Sequence, residues 1–303
     1  MTGRVLVTGG SGFVGRSVMP LLVRRGFTVH AAGPDPVDLA GVVGHRVDLL
    51  DAAQRRAVVA DIRPTHLLHL AWYAEPGAYW TSPKNLDWVG ASLDLAQAFA
   101  EAGGRRLVAA GTCAEYEWGS ERLSESRTPC RPATLYGAAK DGLRRVLAAY
   151  AREAGLSFAW GRLFYLYGPG EQPGRLVGDT IRRLLAGERI PTTEGLQRRD
   201  FLHVDDAAEA LAALLAAALE GPVNVGSGRA VPVREILARI GALTGRADLI
   251  GFGERTLPPG DPAVIEADVA RLRGELGVAP GRDLDEGLAQ MVERYRALPP
   301  GAP

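Results

Sequence analysis

The chain has 303 residues, 47% hydrophobic and 23% charged, so it is long enough for a full core and is neither disordered nor fibrous in composition. Lysine plus arginine number 35 and aspartate plus glutamate also 35, so net charge gives no sign of a nucleic-acid or membrane partner. The longest small apolar run, residues 210–219, is too short to cross a bilayer, and the first residues do not resemble a signal peptide. Two cysteines, Cys113 and Cys130, give neither a disulfide framework nor by themselves a zinc site. We therefore expect a reduced cytoplasmic protein that holds no metal.

The first half of the chain alternates apolar runs with helical patterns. Short apolar runs predict strands at residues 4–8, at 27–32, up to Val47, and at 66–70, 106–110 and 158–163. Helical patterns predict helices up to about residue 25, from Asp51, and over residues 85–102 and 135–154. This alternation is typical of βαβ units, and it predicts an α/β fold with a doubly wound parallel sheet covered on both faces.

Beyond residue 165 the alternation stops at a loop rich in proline and glycine. A helix at residues 205–219 and a strand at 223–225 are expected to return to the sheet, and a helix over 284–296 closes the chain. We predict a larger domain of residues 1–165, joined by 204–227, and a smaller C-terminal domain of residues 166–203 and 228–303.

Three glycines lie between the first strand and its helix, at Gly9, Gly12 and Gly15. Gly9 permits a tight turn, Gly12 lets the backbone approach a pyrophosphate, and Gly15 lets the helix pack closely. The phosphates would then lie on backbone N–H groups at the helix start, at Phe13 and Val14. The alternative is a purely structural turn, but a position after a strand and before a helix favours a dinucleotide site.

The end of the second strand bears on which dinucleotide is bound. An acidic residue that binds the adenosine ribose is usual there, whereas this chain has Gly33. Without that acid a 2′-phosphate is not repelled, and Arg16 could reach it, so NADP(H) is slightly favoured and NAD(H) is the alternative. Asp48 and Leu49 follow the third strand and are placed to meet the adenine; a helix cap is the alternative role for Asp48.

Tyr136 and Lys140 lie four residues apart on one face of a predicted helix. A phenol with a pKa of about 10 is a poor base at neutral pH, and an adjacent ammonium stabilises the phenolate. Lys140 can also hold the ribose hydroxyls of a nicotinamide nucleotide, and Thr112 can donate a hydrogen bond to the reacting oxygen. The chain has only one other lysine, Lys84, so a chance match is rare; a structural pair of the two side chains on a surface helix is the alternative.

With these motifs the chain resembles the extended short-chain dehydrogenases/reductases of the NAD-dependent epimerase/dehydratase family. Further matching segments are His69 to Ala71, Arg162 with Tyr167 to Pro169, Arg199 to Asp206, Asn224 to Gly228, Gly260 to Pro262, and Ala267 with Asp268. The resemblance implies a Rossmann-type domain that binds NAD or NADP, also through Leu70 and Ala71, and catalytic roles for Thr112, Tyr136 and Lys140. It further implies a nucleotide-diphosphate sugar bound by the smaller domain, and a homodimer formed by the helices around 86–102 and 135–154.

On the substrate side, the resemblance places Arg199 near the diphosphate; the alternative is an ion pair with Asp200 or Asp205. Two usual anchors differ, because Tyr165 stands where the family has asparagine and Pro258 where it has arginine. We expect Tyr165 in the substrate site and Arg255 as a substitute for the missing arginine.

Aromatic residues follow the fourth strand, where most relatives have small ones. Trp72 and Tyr73, with Tyr79 and Trp80 nearby, are expected to stack on the sugar or to shield the nicotinamide from water. Packing of this loop against the smaller domain is the alternative.

The residues after Thr112 narrow the reaction. Sugar dehydratases of the family carry an Asp-Glu pair there, whereas this chain has Cys113 and Ala114, and the register directs Glu115 elsewhere. Cys113 then becomes a substrate-side residue. The sequence therefore predicts NAD(P)-dependent reduction of a 4-keto-6-deoxy sugar nucleotide, with a nucleotide-sugar 4-epimerase as the alternative. A non-catalytic dinucleotide sensor is the third hypothesis, which the retained tyrosine–lysine pair disfavours.

Overall fold

The computed structural model describes residues 3–119 and 122–298. Its strands, in chain order, are β1 (Arg4–Thr8), β2 (Thr28–Gly33), β3 (Val42–Arg46), β4 (His66–His69), β5 (Arg106–Thr112), β6 (Ser157–Leu163), β7 (Tyr165–Tyr167), β8 (Ile190–Pro191), β9 (Arg198–His203), β10 (Gly221–Val225), β11 (Ala230–Pro232), β12 (Ile250–Gly251) and β13 (Val264–Ile265). Its α-helices are α1 (Phe13–Arg24), α2 (Ala52–Ile62), α3 (Lys84–Glu101), α4 (Leu135–Ala154), α5 (Leu176–Leu185), α6 (Val204–Ala216), α7 (Val233–Thr244) and α8 (Leu284–Ala297).

Seven parallel strands form the central sheet, in the order β10-β6-β5-β4-β1-β2-β3. Helices α1 and α6 pack together on one face, and α2, α3 and α4 cover the other. The predicted α/β fold with a doubly wound parallel sheet is confirmed. From β1 the chain adds β2 and β3 toward one edge of the sheet, and from β4 it adds the later strands toward the other edge. The carboxyl ends of β1 and β4 therefore border a crevice, where ligands of such sheets bind.

All six strands predicted in the first half of the chain lie in this sheet. The third ends at Arg46 rather than Val47, on an edge strand whose residues are all partly or fully exposed. The returning helix ends at Ala216, three residues before its predicted end. Strand β10 then pairs with β6 at the other edge.

The remaining elements pack around a separate core. Strand β9 pairs with β7, β11 and β13, and helices α5, α7 and α8 pack on one another beside it. Side chains such as Ile181, Ile236 and Met291 are fully buried there. The boundaries of the two domains stay a prediction. None of the helices in the described ranges is long and apolar enough to span a membrane.

A buried ion pair fixes the end of β5. Glu115, in the single helical turn after β5, accepts a hydrogen bond from Arg162 Nε on β6 at 2.7 Å. The same carboxylate accepts from Trp160 Nε1 and from the backbone N–H of Thr112, both at 2.8 Å. Glu115 is fully buried and Arg162 is 1% exposed, so neither charge has access to water. The Glu115 carboxylate is thus directed to Trp160 and Arg162, in line with the expected register.

We predict that Glu115→Gln strongly destabilises the fold, because the amide leaves the Arg162 guanidinium buried without its counter-charge. Removing one partner of a buried pair costs about 3–5 kcal/mol, which urea unfolding of the two proteins would measure. Glu117→Gln is the matched control, since Glu117 pairs with an exposed Arg131 at 3.4 Å and such a surface pair contributes at most about 1 kcal/mol. Equal unfolding free energies for both variants would contradict the role assigned to Glu115.

Candidate active site

The glycine loop between β1 and α1 has the shape that a dinucleotide requires. Gly9 has φ +73°, and a Cβ there would lie 2.8 Å from the backbone nitrogen of Ala71; a Cβ on Gly15 would collide with the Gly9 carbonyl. Gly12 precedes α1, and beside it only the Gly9 oxygen, at 3.2 Å, would meet an added Cβ. No side chain caps this helix, so no side-chain cap occupies the backbone N–H groups at its start. This cradle fits a pyrophosphate.

Buried hydrogen bonds join β1, β4 and α3 at the crevice. His69 contacts the Thr8 hydroxyl at 2.7 Å and the Ser92 hydroxyl at 2.8 Å. Burial, and secondarily the charge of Lys140, lowers the pKa of His69 to about 3. His69 is thus neutral at physiological pH, and it holds the strand end where Leu70 and Ala71 follow. The Leu70 N–H donates to the Thr8 carbonyl at 3.1 Å.

On the predicted adenine side, Gly33 is the last residue of β2, and a Cβ on it would meet no atom within 4 Å. Leu49 is buried and Asp48 is exposed, with its carboxylate accepting from the Leu50 N–H at 2.9 Å. The alternative role of Asp48 as a helix cap is wrong, because Asp51 caps α2. Contacts of Asp48 and Leu49 with an adenine stay a prediction.

Thr112, Tyr136 and Lys140 come together where β5 ends and α4 begins. Lys140 is 4% exposed, and its Nζ donates to the Ala110 carbonyl at 2.9 Å. Burial lowers the pKa of Lys140 to about 7, and the nearby Glu115 carboxylate opposes that shift. Burial raises the pKa of Tyr136, which a hydrogen bond with the Thr112 side chain partly opposes. The phenol is therefore un-ionised at neutral pH unless further positive charge is brought close to it.

The aromatic loop after β4 packs on these groups. The Tyr79 ring meets the Tyr136 ring edge-on with centroids 4.8 Å apart, and Trp80 meets it at 5.8 Å. Trp72 places its ring 3.8 Å from Lys140 Nζ, whereas Tyr73 lies under the Nζ of Lys84 at 4.6 Å. Stacking of Trp72 and Tyr73 on a sugar stays a prediction.

Arg199 is 4% exposed and bound within the protein, but not to either carboxylate considered from the sequence. Its Nη2 donates to Asp261 at 2.7 Å and its Nη1 to the Pro262 carbonyl at 2.7 Å. The alternative of a pair with Asp200 or Asp205 is therefore wrong. Asp200 instead accepts hydrogen bonds from the 227–228 segment. Sequence reasoning missed Asp261, although it lies in the matching Gly260 to Pro262 segment.

The other predicted substrate residues are spread over two regions. Tyr165, on β7, lies with its ring 5.7 Å from the Arg199 guanidinium carbon, and burial raises its pKa. Cys113 lies in the same neighbourhood, and burial raises its pKa to about 12. Arg255 is exposed on the loop that precedes Asp261, and among residues 3–119 and 122–298 its guanidinium has no hydrogen-bonded partner. The expected role of Arg255 as a substitute for the missing arginine stays a prediction.

Comparisons with known proteins agree with this geometry. A model of the NAD dependent epimerase/dehydratase family matches residues 5–226. The dTDP-glucose 4,6-dehydratase of Streptomyces griseus is 28% identical over 321 residues, covering 97% of this chain and 94% of that protein. The UDP-glucose 4-epimerase of Streptomyces lividans is 30% identical over 312 residues, covering 93% of each. Among solved structures, the UDP-glucose 4-epimerase of Thermus thermophilus in complex with NAD has a TM-score of 0.85 and 29% identity, covering 97% of this chain and 99% of that one.

We predict that Gly12→Ala keeps the fold and weakens dinucleotide binding. The added methyl group would lie 3.2 Å from the Gly9 oxygen, a tight contact that a shift of a few tenths of an ångström relieves, and it would stand between the helix start and a phosphate. Loss of one hydrogen bond to a charged group corresponds to at least about a tenfold weaker affinity, measured by calorimetric titration of NAD(H) and NADP(H). Gly274→Ala, at a helical glycine with open space, is the control. Unchanged affinity in Gly12→Ala would refute the site.

Proposed function

The chain belongs to the NAD dependent epimerase/dehydratase family, and from this premise we propose that it reduces the 4-keto group of a nucleotide-diphosphate-linked 6-deoxy sugar. The observation that carries the proposal is the set of groups around Thr112. Tyr136 and Lys140 adjoin it, but Cys113 and Ala114 occupy the positions of a dehydratase acid and base.

Elimination of water requires an acid and a base besides the phenol. Burial holds Cys113 as a thiol, alanine cannot exchange protons, and the Glu115 carboxylate is bound to Arg162. What remains is chemistry that interconverts a hydroxyl and a keto group, for which one proton donor and one hydride carrier suffice.

In the mechanism, the loop from Gly9 to Gly15 would hold the pyrophosphate of the cofactor and Lys140 its nicotinamide ribose. When bound, the nicotinamide supplies the hydride. The Tyr136 hydroxyl donates a proton to the keto oxygen, and the Thr112 hydroxyl donates a hydrogen bond to the same oxygen. The Lys140 ammonium then stabilises the phenolate that Tyr136 becomes.

Two finer features belong to the same proposal. The open space at Gly33 favours NADP(H). NAD(H) is the alternative, because the related Thermus thermophilus structure is a complex with NAD. A homodimer through α3 and α4 is supported by the exposed apolar side chains of Leu86 and Val146 on these helices.

A nucleotide-sugar 4-epimerase is the second candidate. The relatives from Streptomyces lividans and Thermus thermophilus are named UDP-glucose 4-epimerases, and such an enzyme would use Thr112, Tyr136 and Lys140 in both half-reactions.

We predict that the purified protein, once denatured, releases little nucleotide and that the folded protein binds NADPH more tightly than NADH. A reductase exchanges its cofactor in every turnover, whereas an epimerase regenerates it within the site. Mass spectrometry of the released nucleotide distinguishes the two, and stoichiometric NAD would overturn the reductase in favour of the epimerase.

We predict that Tyr136→Phe lowers turnover at least about 100-fold, because the variant has no proton to donate. Dinucleotide affinity should stay close to that of the unmodified protein. The control is Tyr150→Phe, which removes a hydroxyl from the same helix without touching the three catalytic groups. NADPH oxidation with a dTDP-4-keto-6-deoxy sugar measures the rate, and undiminished turnover in Tyr136→Phe would rule out the mechanism.

A further inference from the structure

Trp72 lies against the ammonium group of Lys140. The Lys140 Nζ is 3.8 Å from the centre of the indole ring, the arrangement of a cation–π contact. The indole N–H donates to the Asn85 side chain at 2.9 Å. The ring is thus held from its far edge while its face meets the cation.

Asn85 is itself fixed and fully buried in the first turn of α3. Its amide nitrogen donates to the Tyr79 carbonyl at 2.7 Å and to the Ser82 carbonyl at 2.8 Å. Trp88, one turn further along α3, lies beside the indole with ring centroids 6.2 Å apart. Rotation of Trp72 away from Lys140 would break its hydrogen bond to Asn85, so the indole is positioned before any ligand binds.

The Lys140 charge has few other partners. Its one hydrogen-bond acceptor among the described residues is the Ala110 carbonyl. Of the titratable groups around it, His69 is neutral, and the Glu115 carboxylate, whose charge raises the pKa of Lys140, is bound directly to Arg162. The Trp160 ring is more distant, at 5.9 Å.

Tyr136 lies one turn before Lys140 on α4, and burial keeps it as a phenol. Burial also lowers the pKa of Lys140 to about 7, so its ammonium form depends at neutral pH on the groups in direct contact with it. The Ala110 carbonyl binds only one of the three Nζ hydrogens of the ammonium group. The indole face is the second close contact that favours the charged form.

We propose that Trp72 is a positioning residue, which stabilises the Lys140 ammonium and holds it beside Tyr136. The catalytic consequence rests on the proposed function, because the charge of Lys140 matters there for the phenolate of Tyr136. The contact between indole and ammonium does not depend on turnover and can be measured by itself. This role differs from the sugar stacking expected from the sequence, since the indole face is used on the lysine.

The lysine content of the chain makes a direct measurement feasible. Lys84 and Lys140 are its only lysines, so protein grown with ¹³C-labelled lysine gives two side-chain NMR signals, and Lys84→Arg assigns them. Titration of the Lys140 signal in the unmodified protein, Trp72→Leu, Trp72→Phe and Trp88→Leu follows its protonation. Trp88→Leu is the matched control, because it alters the same aromatic cluster without touching Lys140.

We expect the titration midpoint of Lys140 to fall by roughly one pH unit in Trp72→Leu, which lacks a π face, and by less in Trp72→Phe, which keeps one. The midpoint should stay unchanged in Trp88→Leu. If Trp72→Leu does not fold, incorporation of 5-fluorotryptophan weakens the π face at constant shape. That analogue should then lower the midpoint in the unmodified protein but not in Trp72→Phe. An unchanged or raised midpoint in the Trp72 experiments, or an equal fall in Trp88→Leu, would overturn the proposal.

The catalytic part has its own readout. The alkaline limb of the pH profile of kcat for NADPH-dependent reduction should move to lower pH in Trp72→Leu by the amount seen in the NMR titration. A limb that does not move while the NMR midpoint does would overturn the positioning role. Absence of reductase activity in the unmodified protein, with the NMR shift intact, would instead be a failure of the proposed function.

Discussion

The active-site end of the central sheet depends on one buried carboxylate. Glu115 binds the Thr112 N–H, the Trp160 indole and the Arg162 guanidinium, so it ties the last residue of β5 to β6. Arg162 extends the network through Tyr116, whose hydroxyl donates to the Asn224 side chain on β10 at 2.7 Å. Removing water from two full charges is costly, and only such complete pairing makes it tolerable. The constraint also has a chemical result, since the acid nearest to Thr112 is committed to structure.

Much of this architecture could be predicted because its signals are local. Helix α4 has the predicted bounds, since Thr134 caps its start and Gly155, with φ +65°, ends it. The glycine spacing from Gly9 to Gly15 reflects backbone contacts that exclude a Cβ, so its meaning survives without a structure. The spacing of Tyr136 and Lys140 gives their common helix face directly. The predicted end of the edge strand β3 was one residue too late, because its exposed residues carry a weak apolar pattern.

Contacts between distant segments could not be predicted in this way. Arg199 has Asp200 beside it, but neighbouring residues of a strand point to opposite faces, and its partner Asp261 lies 62 residues further along the chain. The hydrogen bond from Trp72 to Asn85 likewise depends on how the loop after β4 folds onto α3. Nothing in the local pattern around Asn85 separates it from an ordinary polar residue near a helix start. The contact of Trp72 with Lys140 depends on the same folding of this loop.

The burial of Cys113 has a consequence for chemical probes of this site. Electrophiles such as maleimides and acrylamides react with thiolates, and burial raises the pKa of the Cys113 thiol to about 12, so this thiol is not ionised at neutral pH. Cys130 is partly exposed, but its sulfur accepts a hydrogen bond from Arg162 at 3.0 Å, and burial raises its pKa as well. Ligands designed for this site therefore have to rely on shape and noncovalent contacts rather than on a bond to Cys113 or Cys130.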